Sequence, residues 1–499
     1  MLTATASEIR ELEAAVFAAG VAPYALMRRA GEAAARFAAL HAAEGSSRIV
    51  VLAGSGNNAG DALVAAAELA RRFPVRIFAV KPLQELAGAA AEAFRDLPSG
   101  IPVEVRETLT TEDFRPGDFI LDGLLGIGFH GALRPQYAQF IHTVNATGLP
   151  VAALDLPSGL DADTGSGASE VIRAALTITF GWPKPGLFLG DGPRCRGMLR
   201  IVPLGLPLPR AKDPMPPVYT ADDAARDLPM PEFDTHKFRR GALLIAAGSR
   251  RYPGAAALAA RAALHTGAGI VKLLIPAGTR LPGIPAALIV EEVPATAEGT
   301  FAGDAATAFA AALGSGALAA GPGWSDADPE FLRAVLDLPA PLVLDADALN
   351  LAARHPDLWK RREAPTVITP HPGEAARLAA AFGIAPSAER VRFAADLARR
   401  LHAVTVLKGP QSVIASPKGT SWLNTSGSPD LATAGSGDVL TGMIGALLAA
   451  GCGAERAARL GTWIHGAVGE ICGAGSIADD LPAAAAPILR LLRRRGELY

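Results

Sequence analysis

The hydrophobic positions of this chain fall into short apolar runs that alternate with alanine-rich stretches of helical spacing. In the first half of the chain the runs read RIVVLA, VRIFAV, DFILDG, PVAALD, ALTITF and MLRIVP. A strand that is buried on one face alternates apolar and polar residues, whereas a strand covered on both faces is apolar throughout. The pattern therefore predicts a parallel β-sheet with helices on both faces.

The segment before this sheet, residues 7–43, has apolar residues at helical spacing and predicts two helices broken near Gly20 and Pro23. Residues 204–233 are rich in proline, which cannot continue a sheet or the interior of a helix. Beyond them the alternation restarts and leads to a hairpin-like segment at 412–424. We therefore predict two different α/β domains, residues 1–213 and 219–499, with a linker within 204–233.

Length, charge and cysteine content limit the class of protein. A chain of 499 residues, half of them hydrophobic, is long enough for two buried cores. Its 47 basic and 49 acidic residues are mixed along the sequence, which argues against binding to nucleic acid or to an anionic membrane. Three cysteines without a C-x-x-C pair, and no long apolar run, predict a cytoplasmic protein without disulfides. The expected partner is a small ligand.

The loop after the first predicted strand reads GSGNNAGD. Gly54, Gly56 and Ala59 match the G-x-G-x-x-G/A turn that lets the backbone approach a phosphate at a helix N-terminus. A dehydrogenase that binds NAD also needs an acidic residue at the end of its second strand, where this chain has Lys81. The loop therefore argues against an ordinary NAD-dependent dehydrogenase.

Three hard oxygen donors, Asn58, Asp122 and Ser158, follow three separate predicted strands. Because the carboxyl ends of parallel strands meet at one edge of the sheet, we expect these oxygens to converge on a cation. Asp155 stands at the same edge and is suited to general acid or base catalysis. The alternative is structural, since asparagine and aspartate also cap helices and close turns.

The loops GSGNNAGDALVAA, LDGLLGIG and DLPSGLDADTG together resemble the NAD(P)H-hydrate epimerases over residues 1–209. The resemblance implies a Rossmann-like fold and a potassium ion held by Asn58, Asp122 and Ser158. It also implies contacts with the hydrated nucleotide from Asn57, Asn58, Ala59, Gly60, Asp61, Gly126, Ile127, Gly128, Phe129, His130, Gly131, Ala132 and Asp155. The family loop usually has glycine where Ala59 and Ala62 stand, and we expect their methyl groups to narrow the pocket.

In the second half, Gly435, Ser436 and Gly437 precede Asp438 and a predicted helix. Small residues let successive backbone N–H groups point at an anion, and an aspartate beside them is able to act as a base. The alternative is a glycine-rich turn in which Asp438 only caps the helix. The sequence has no G-x-x-x-x-G-K-[ST] motif, so any phosphoryl transfer must use a different phosphate-binding loop.

The pieces AAGSRRYPGA, TGAGIVKL, AAGPGW, VLDADALN, TPHPGE and LKGP give residues 219–499 a resemblance to the NAD(P)H-hydrate dehydratases. The resemblance implies a ribokinase-like α/β/α fold and the use of ADP or ATP with Mg²⁺. It implies that Ala268, Gly323, His371 and Asp438 line the hydrate site, and that Lys408, Gly409, Pro410, Gln411, Ser412 and Gly437 hold the nucleotide. His371 has a structural alternative, because HPGE also begins a helix.

The two resemblances imply the repair of hydrated nicotinamide nucleotides. One domain interconverts the R and S forms with the help of Asp155, and the other dehydrates the S form with Asp438 as the base and with release of phosphate. We expect a cytoplasmic homo-oligomer. Two other functions remain open from the residues alone: a sugar- or vitamin-type kinase joined to a nucleotide-binding domain, and a nucleotide sensor that binds without turnover.

Overall fold

The structure is a computed structural model that describes residues 1–42, 48–209, 215–313, 316–359, 362–387 and 389–496. The chain divides into two compact units, Met1–Met215 and Pro216–Tyr499. The predicted linker at 204–233 spans this division, and its residues 210–214 lie outside the described part of the chain.

The first unit is built on a seven-stranded sheet in which each pair of neighbours is parallel, in the order β3-β2-β1-β4-β5-β6-β7. The strands are β1 (Arg48–Ala53), β2 (Val75–Ala79), β3 (Val103–Val105), β4 (Asp118–Gly123), β5 (Val151–Leu154), β6 (Leu176–Phe180) and β7 (Met198–Val202). The helices are α1 (Ala6–Ala18), α2 (Pro23–Ala42), α3 (Asn57–Leu69), α4 (Gly88–Arg95), α5 (Pro135–Thr147) and α6 (Gly192–Cys195). The two helices predicted at the start of the chain are confirmed.

Both faces of this sheet are covered, as the apolar strands predict. On one face, Ile49 and Val51 are buried in a hydrophobic cluster with apolar residues of α2, α3 and α4. On the other face, Val50 and Leu52 pack with residues of α5. The strand order reverses between β1 and β4, which is the position where open parallel sheets bind their ligands.

The second unit holds a ten-stranded sheet in the order β11-β10-β9-β12-β13-β14-β15-β16-β17-β8. Its strands are β8 (Val218–Tyr219), β9 (Ala242–Ala246), β10 (Ile270–Pro276), β11 (Ile289–Val293), β12 (Ala317–Ala320), β13 (Leu342–Leu344), β14 (Thr366–Ile368), β15 (Val404–Leu407), β16 (Val413–Ala415) and β17 (Ser421–Asn424). Its helices are α7 (Ala221–Asp227), α8 (Pro253–Thr266), α9 (Ala305–Leu313), α10 (Pro329–Asp337), α11 (Ala346–Arg354), α12 (Pro372–Ala381), α13 (Arg390–Leu401), α14 (Ser436–Ala449), α15 (Ala454–Cys472) and α16 (Leu481–Gly496). The predicted hairpin is confirmed as β16 and β17, which pair antiparallel.

The second half of the proline-rich segment 204–233 belongs to the second unit. Val218 and Tyr219 form β8, which pairs in parallel with β17 at the edge of the sheet, and both side chains are buried. The hydroxyl of Thr220 then caps α7 by accepting a hydrogen bond from the N–H of Asp223. The prolines at 216, 217, 229 and 231 lie on either side of this strand and helix and interrupt neither of them.

Candidate active sites

The loops after β1, β4 and β5 surround a cavity of about 780 Å³ in the first unit. Helices α1 and α2 add further lining residues, among them Glu13 and Met27. The structure brings these predicted residues to the cavity wall: Asn57, Asn58, Asp61, Gly126, Ile127, Gly128, Phe129, His130, Ala132 and Asp155. They come from separate loops that meet because parallel strands end at one edge of the sheet.

Three residues of the predicted set, Ala59, Gly60 and Gly131, are not among the described residues that line the cavity. Ala59 is fully buried in the core, and a Cβ on Gly60 would lie 2.5 Å from the sulfur of Met27. Ala62 is fully buried in the same core as Ala59. The expectation that the methyl groups of these two alanines narrow the pocket is therefore wrong, because both fill the interior of the unit.

Asn58, Asp122 and Ser158 form a compact oxygen cluster at this edge of the sheet. The Ser158 hydroxyl donates to Oδ1 of Asp122 at 2.7 Å, and it accepts a hydrogen bond from the N–H of Leu125 at 2.9 Å. The carbonyl of Leu125 accepts from Nδ2 of Asn58 at 2.8 Å. The other amide atom of Asn58, Oδ1, is buried and has no hydrogen-bond partner within the described part of the chain. An unsatisfied buried oxygen in such a set suits a hard cation, so these donors fit the potassium ion that the resemblance implies.

Asp122 itself is held away from water. Burial raises its pKa to about 6, and hydrogen bonds from Ser158 and from the N–H of Leu124 offset that rise only in part. Within the described residues, no lysine or arginine forms a salt bridge with this carboxylate. A cation beside it would favour the ionised form.

Asp155 follows β5 and forms a buried ion pair with Lys184. Its φ is 63°, in the left-handed region that aspartate adopts more readily than most residues. Oδ1 accepts hydrogen bonds from Nζ of Lys184, and from the Thr179 hydroxyl and the Phe180 N–H at 3.2 Å each. Lys184 is only 1% exposed and lies after β6 in the segment GWPKPG, which carries no motif and was not predicted. The pair presents a carboxylate to the cavity wall.

Two more carboxyl groups, those of Asp61 and Glu13, lie near this pair. Burial, followed by the charges of Asp155 and Glu13, raises the pKa of Asp61 well above its usual value. Burial and then the charge of Asp155 also raise the pKa of Glu13, which the sequence analysis missed because α1 carries no motif. Carboxyl groups with raised pKa values next to an ion-paired carboxylate form an arrangement suited to both the donation and the acceptance of a proton in one cavity.

In the second unit, the glycine turn before α14 places Asp438 at the carboxyl edge of the sheet. Gly435 has a φ of 92°, which favours glycine, and α14 begins at the next residue. Lys408 follows β15, and its Nζ lies 2.8 Å from Oδ1 of Asp345, which follows β13. A Cβ on Gly437 would lie 3.3 Å from the same Nζ. The turn, the lysine and the carboxylates therefore form one site.

Asp345 anchors this network, although no role was predicted for it. It is 1% exposed, and its Oδ2 accepts a hydrogen bond from the Thr441 hydroxyl at 2.8 Å. Burial, followed by the negative charge of Asp345, raises the pKa of Asp438 to about 7, while the charge of Lys408 acts in the opposite direction. A carboxylate with such a pKa is suited to proton exchange with a substrate at neutral pH.

His371 lies at the same edge of the sheet, after β14, and caps α12. Nδ1 of the His371 ring accepts a hydrogen bond from the backbone N–H of Gly373 at 3.0 Å. The backbone N–H of His371 donates to Oε2 of Glu374 at 2.9 Å. The structural role that the HPGE segment allowed is therefore present. The side chain of His371 is half exposed, and its contact with the hydrate stays a prediction.

The predicted nucleotide-binding residues Lys408, Gly409, Pro410, Gln411 and Ser412 form the loop between β15 and β16. Gly323 follows β12 at the same edge of the sheet. Ala268 does not join them, because it precedes β10 at the amino ends of the strands and is buried in the core. Ala255, at the start of α8, lies beside Gly323 instead, since a Cβ on that glycine would be 2.8 Å from its methyl group. Ala268 therefore lies away from the other predicted residues of this site.

Within the described residues, no helix is both long enough and apolar enough to span a membrane. Cys195, Cys452 and Cys472 are free thiols.

The folds and sites define a two-domain α/β protein with a carboxylate-lined cavity in one unit and a glycine turn beside Asp438 in the other. Residues 23–186 match the family model described as YjeF-related protein N-terminus, and residues 243–489 match that of NAD(P)H-hydrate dehydratase. The bifunctional NAD(P)H-hydrate repair enzyme Nnr of Thermofilum pendens is 38% identical over 94% of this chain and 92% of its own length. The same enzyme of Gloeobacter violaceus is 38% identical over 93% and 92%.

This chain belongs to the family of bifunctional NAD(P)H-hydrate repair enzymes. It carries both domains of that family, so both resemblances seen in the sequence are confirmed. Among solved structures, the ADP/ATP-dependent NAD(P)H-hydrate dehydratase of Bacillus subtilis, co-crystallised with ATP and Mg²⁺, is 30% identical. The match covers 57% of this chain and all of that one, with a TM-score of 0.45.

Lys184→Met should destabilise the first unit, because it leaves Asp155 as a buried carboxylate without its cation. Breaking a buried ion pair from one side costs about 3–5 kcal/mol. Urea unfolding of the full-length chain should show a loss of this size, and Lys81→Met, at an exposed site, should show none. The double variant Lys184→Met, Asp155→Asn should recover most of the loss. An unchanged unfolding free energy in Lys184→Met would mean that the pair does not stabilise the unit.

Proposed function

We propose that the two repair reactions of this family are carried out by Asp155 in the first unit and by Asp438 in the second. Hydration of the reduced nicotinamide ring leaves a hydroxyl group at C6, next to the ring nitrogen. The first unit inverts that carbon, and the second removes its hydroxyl group. The observation that carries the proposal is that each unit has a carboxylate at the ligand-binding edge of its sheet, Asp155 buried beside Lys184 and Asp438 partly buried near Asp345 and Lys408. We retain the cytoplasmic location and the homo-oligomer expected from the sequence as parts of this proposal.

Inversion at C6 requires the C–O bond to break and to form again on the other face of the ring. Protonation of the hydroxyl group lets it leave as water, and the lone pair of the ring nitrogen supports the positive charge that results. Asp61, whose pKa is raised, donates this proton, and Asp155 accepts one from the water that adds to the other face. Lys184 holds the Asp155 carboxylate at the cavity wall.

We assign the potassium ion of the first unit to the oxygens of Asn58, Asp122 and Ser158. The ion would satisfy the unpaired Oδ1 of Asn58 and would place a positive charge beside the buried carboxylate of Asp122. Leu125 connects Asn58 to Ser158 through its carbonyl and its N–H. A cation held there would therefore order the loop after β4, which also lines the cavity.

In the second unit, Asp438 accepts the proton of the C6 hydroxyl group. The oxygen of that hydroxyl group attacks the terminal phosphoryl group of the Mg²⁺–nucleotide complex. Lys408 and the backbone N–H groups at the start of α14 are the donors available to the negative charge on that group. The phosphorylated oxygen is a good leaving group. The lone pair of the ring nitrogen expels it as phosphate, and loss of a proton from C5 restores the reduced nicotinamide.

Asp155→Asn should slow epimerisation by roughly 10²–10⁴, because an amide cannot accept the proton. The rate is measured by chromatographic separation of the R and S hydrates in the absence of nucleotide. Dehydration of the S hydrate is the internal control and should be unchanged. Interconversion at the wild-type rate would remove Asp155 from the mechanism.

Potassium should lower the KM of epimerisation more than sodium does, because Asn58, Asp122 and Ser158 supply oxygen donors from three separate loops at the cavity edge. The measurement compares full-length protein in the two salts without nucleotide. Asn58→Ala removes the unpaired Oδ1 and should abolish the difference between the salts. Equal KM values for the wild type in both salts would contradict a selective site.

Asp438→Asn should lower nucleotide-dependent recovery of NAD(P)H by roughly 10²–10⁴, because asparagine caps a helix about as well but is not a base. Epimerisation, which takes place in the first unit, should be unchanged, and retained binding of ADP or ATP in isothermal titration shows that the second unit is folded. If Asp438 were only a helix cap, dehydration would continue at close to the wild-type rate.

The pH dependence of dehydration should reflect the raised pKa of Asp438. Only the ionised carboxylate accepts a proton, and its fraction increases as the pH rises through the pKa of about 7. The wild-type rate should therefore rise about tenfold per pH unit on the acid side of this pKa and become constant on the alkaline side. If the rate is the same below and above this pKa, Asp438 is excluded as the base.

A further inference from the structure

The loop at residues 408–412 has no helix or strand of its own, yet one side chain holds it in place. Arg390 is the first residue of α13, and its Nη2 lies 3.2 Å from the carbonyl oxygen of Leu407 and 3.0 Å from that of Lys408. The same atom lies 3.1 Å from the carbonyl oxygen of Gln411. Three carbonyl groups in and next to this loop therefore point at one guanidinium group.

The directions of these carbonyls fix the directions of the amides that follow them. In a trans peptide the C=O and N–H bonds point opposite ways, so the N–H groups of Gly409 and Ser412 point away from Arg390. Neither N–H has an acceptor within the described part of the chain. Pro410, between them, has no N–H. The loop thus presents two free backbone donors on the side away from Arg390, and such donors suit an anion.

Gly409 shows how closely the guanidinium group packs against the loop. Its φ is 153°, a conformation that L side chains rarely adopt. A Cβ at this position would lie 2.7 Å from Nη2 of Arg390. A side chain at residue 409 would therefore displace the guanidinium group or the loop.

The charge of Arg390 is not neutralised by a carboxylate. Within the described residues it has no salt bridge, and its Nε is buried without a hydrogen-bond partner. Burial lowers the pKa of Arg390, but a guanidinium group remains protonated in proteins. A partly buried cation that contacts only carbonyl oxygens favours an anion nearby. This charge and the two free amides therefore favour the same kind of ligand.

We propose that Arg390 is the positioning residue of the nucleotide site. It holds the 408–412 loop so that the free amides of Gly409 and Ser412 face ADP or ATP, and its charge adds to that of Lys408. The choice of an adenine nucleotide as the ligand rests on the proposed function. The loss of Arg390 therefore weakens binding of the nucleotide more than it slows the proton transfer at Asp438.

Arg390→Met tests this inference by isothermal titration of the full-length protein with ADP or ATP and Mg²⁺, without hydrate. We expect the affinity to fall by roughly tenfold or more, because two amide donors lose their direction toward a charged ligand. Arg392→Met is the matched control, since Arg392 is exposed on the same helix and should leave binding unchanged. In steady-state assays, Arg390→Met should raise the KM for the nucleotide more than it lowers kcat.

Circular dichroism would show whether Arg390→Met has lost its fold. Two further variants test the positioning role in another way. Arg390→Lys keeps the charge but not the planar group, and should restore part of the affinity. Gly409→Ala should displace the guanidinium group and weaken binding as Arg390→Met does. Wild-type affinity in Arg390→Met, or in Gly409→Ala if the first variant does not fold, would overturn the inference. Because the titration contains no hydrate, its result does not depend on which product the enzyme forms.

Discussion

The negative charge of a carboxylate that is buried at the carboxyl edge of a parallel sheet must be balanced by a nearby positive charge. Both sites depend on this balance. In each unit a lysine provides the compensation: Lys184 pairs with Asp155, and Lys408 pairs with Asp345. Without its lysine, either carboxylate would give up its charge or destabilise the edge. The sheets bring the loops together, and the lysines let a negative charge persist beside the ligand.

Two other carboxyl groups at these edges are wholly or partly buried and form no salt bridge with a lysine among the described residues, and their pKa values rise. Burial raises the pKa of Asp438 to about 7 and that of Asp122 to about 6. The first value suits a group that exchanges a proton with the substrate, and the second suits a group that a cation would keep ionised. In the proposed function, paired and unpaired carboxylates therefore have different roles, and two units with different sheet topologies act on the same carbon of one substrate.

The strands and the ligand-binding edges could be predicted because burial on both faces leaves a local pattern, and DFILDG forms β4 without a change of bounds. Strand β3 is absent from the predicted runs because it carries a glutamate between two exposed valines. Motifs surround Asp155 and mark it, but Lys184 lies 29 residues away from it and only the folded sheet joins them. The same holds for Asp345, which is 63 residues from Lys408. Ala268 was misplaced because a run of small residues does not show at which end of a strand it lies.

An assay that starts from the R hydrate alone tests most directly whether the two sites act in sequence on one substrate. Full-length protein is mixed with the R hydrate, potassium, Mg²⁺ and ADP or ATP, and both reduced nicotinamide and free phosphate are measured. We expect complete conversion to NAD(P)H at a rate above the spontaneous epimerisation of the hydrate, with one phosphate released for each molecule formed. A stable phosphoester of the substrate, or R hydrate that disappears only at its spontaneous rate, would contradict the assignment of the two sites.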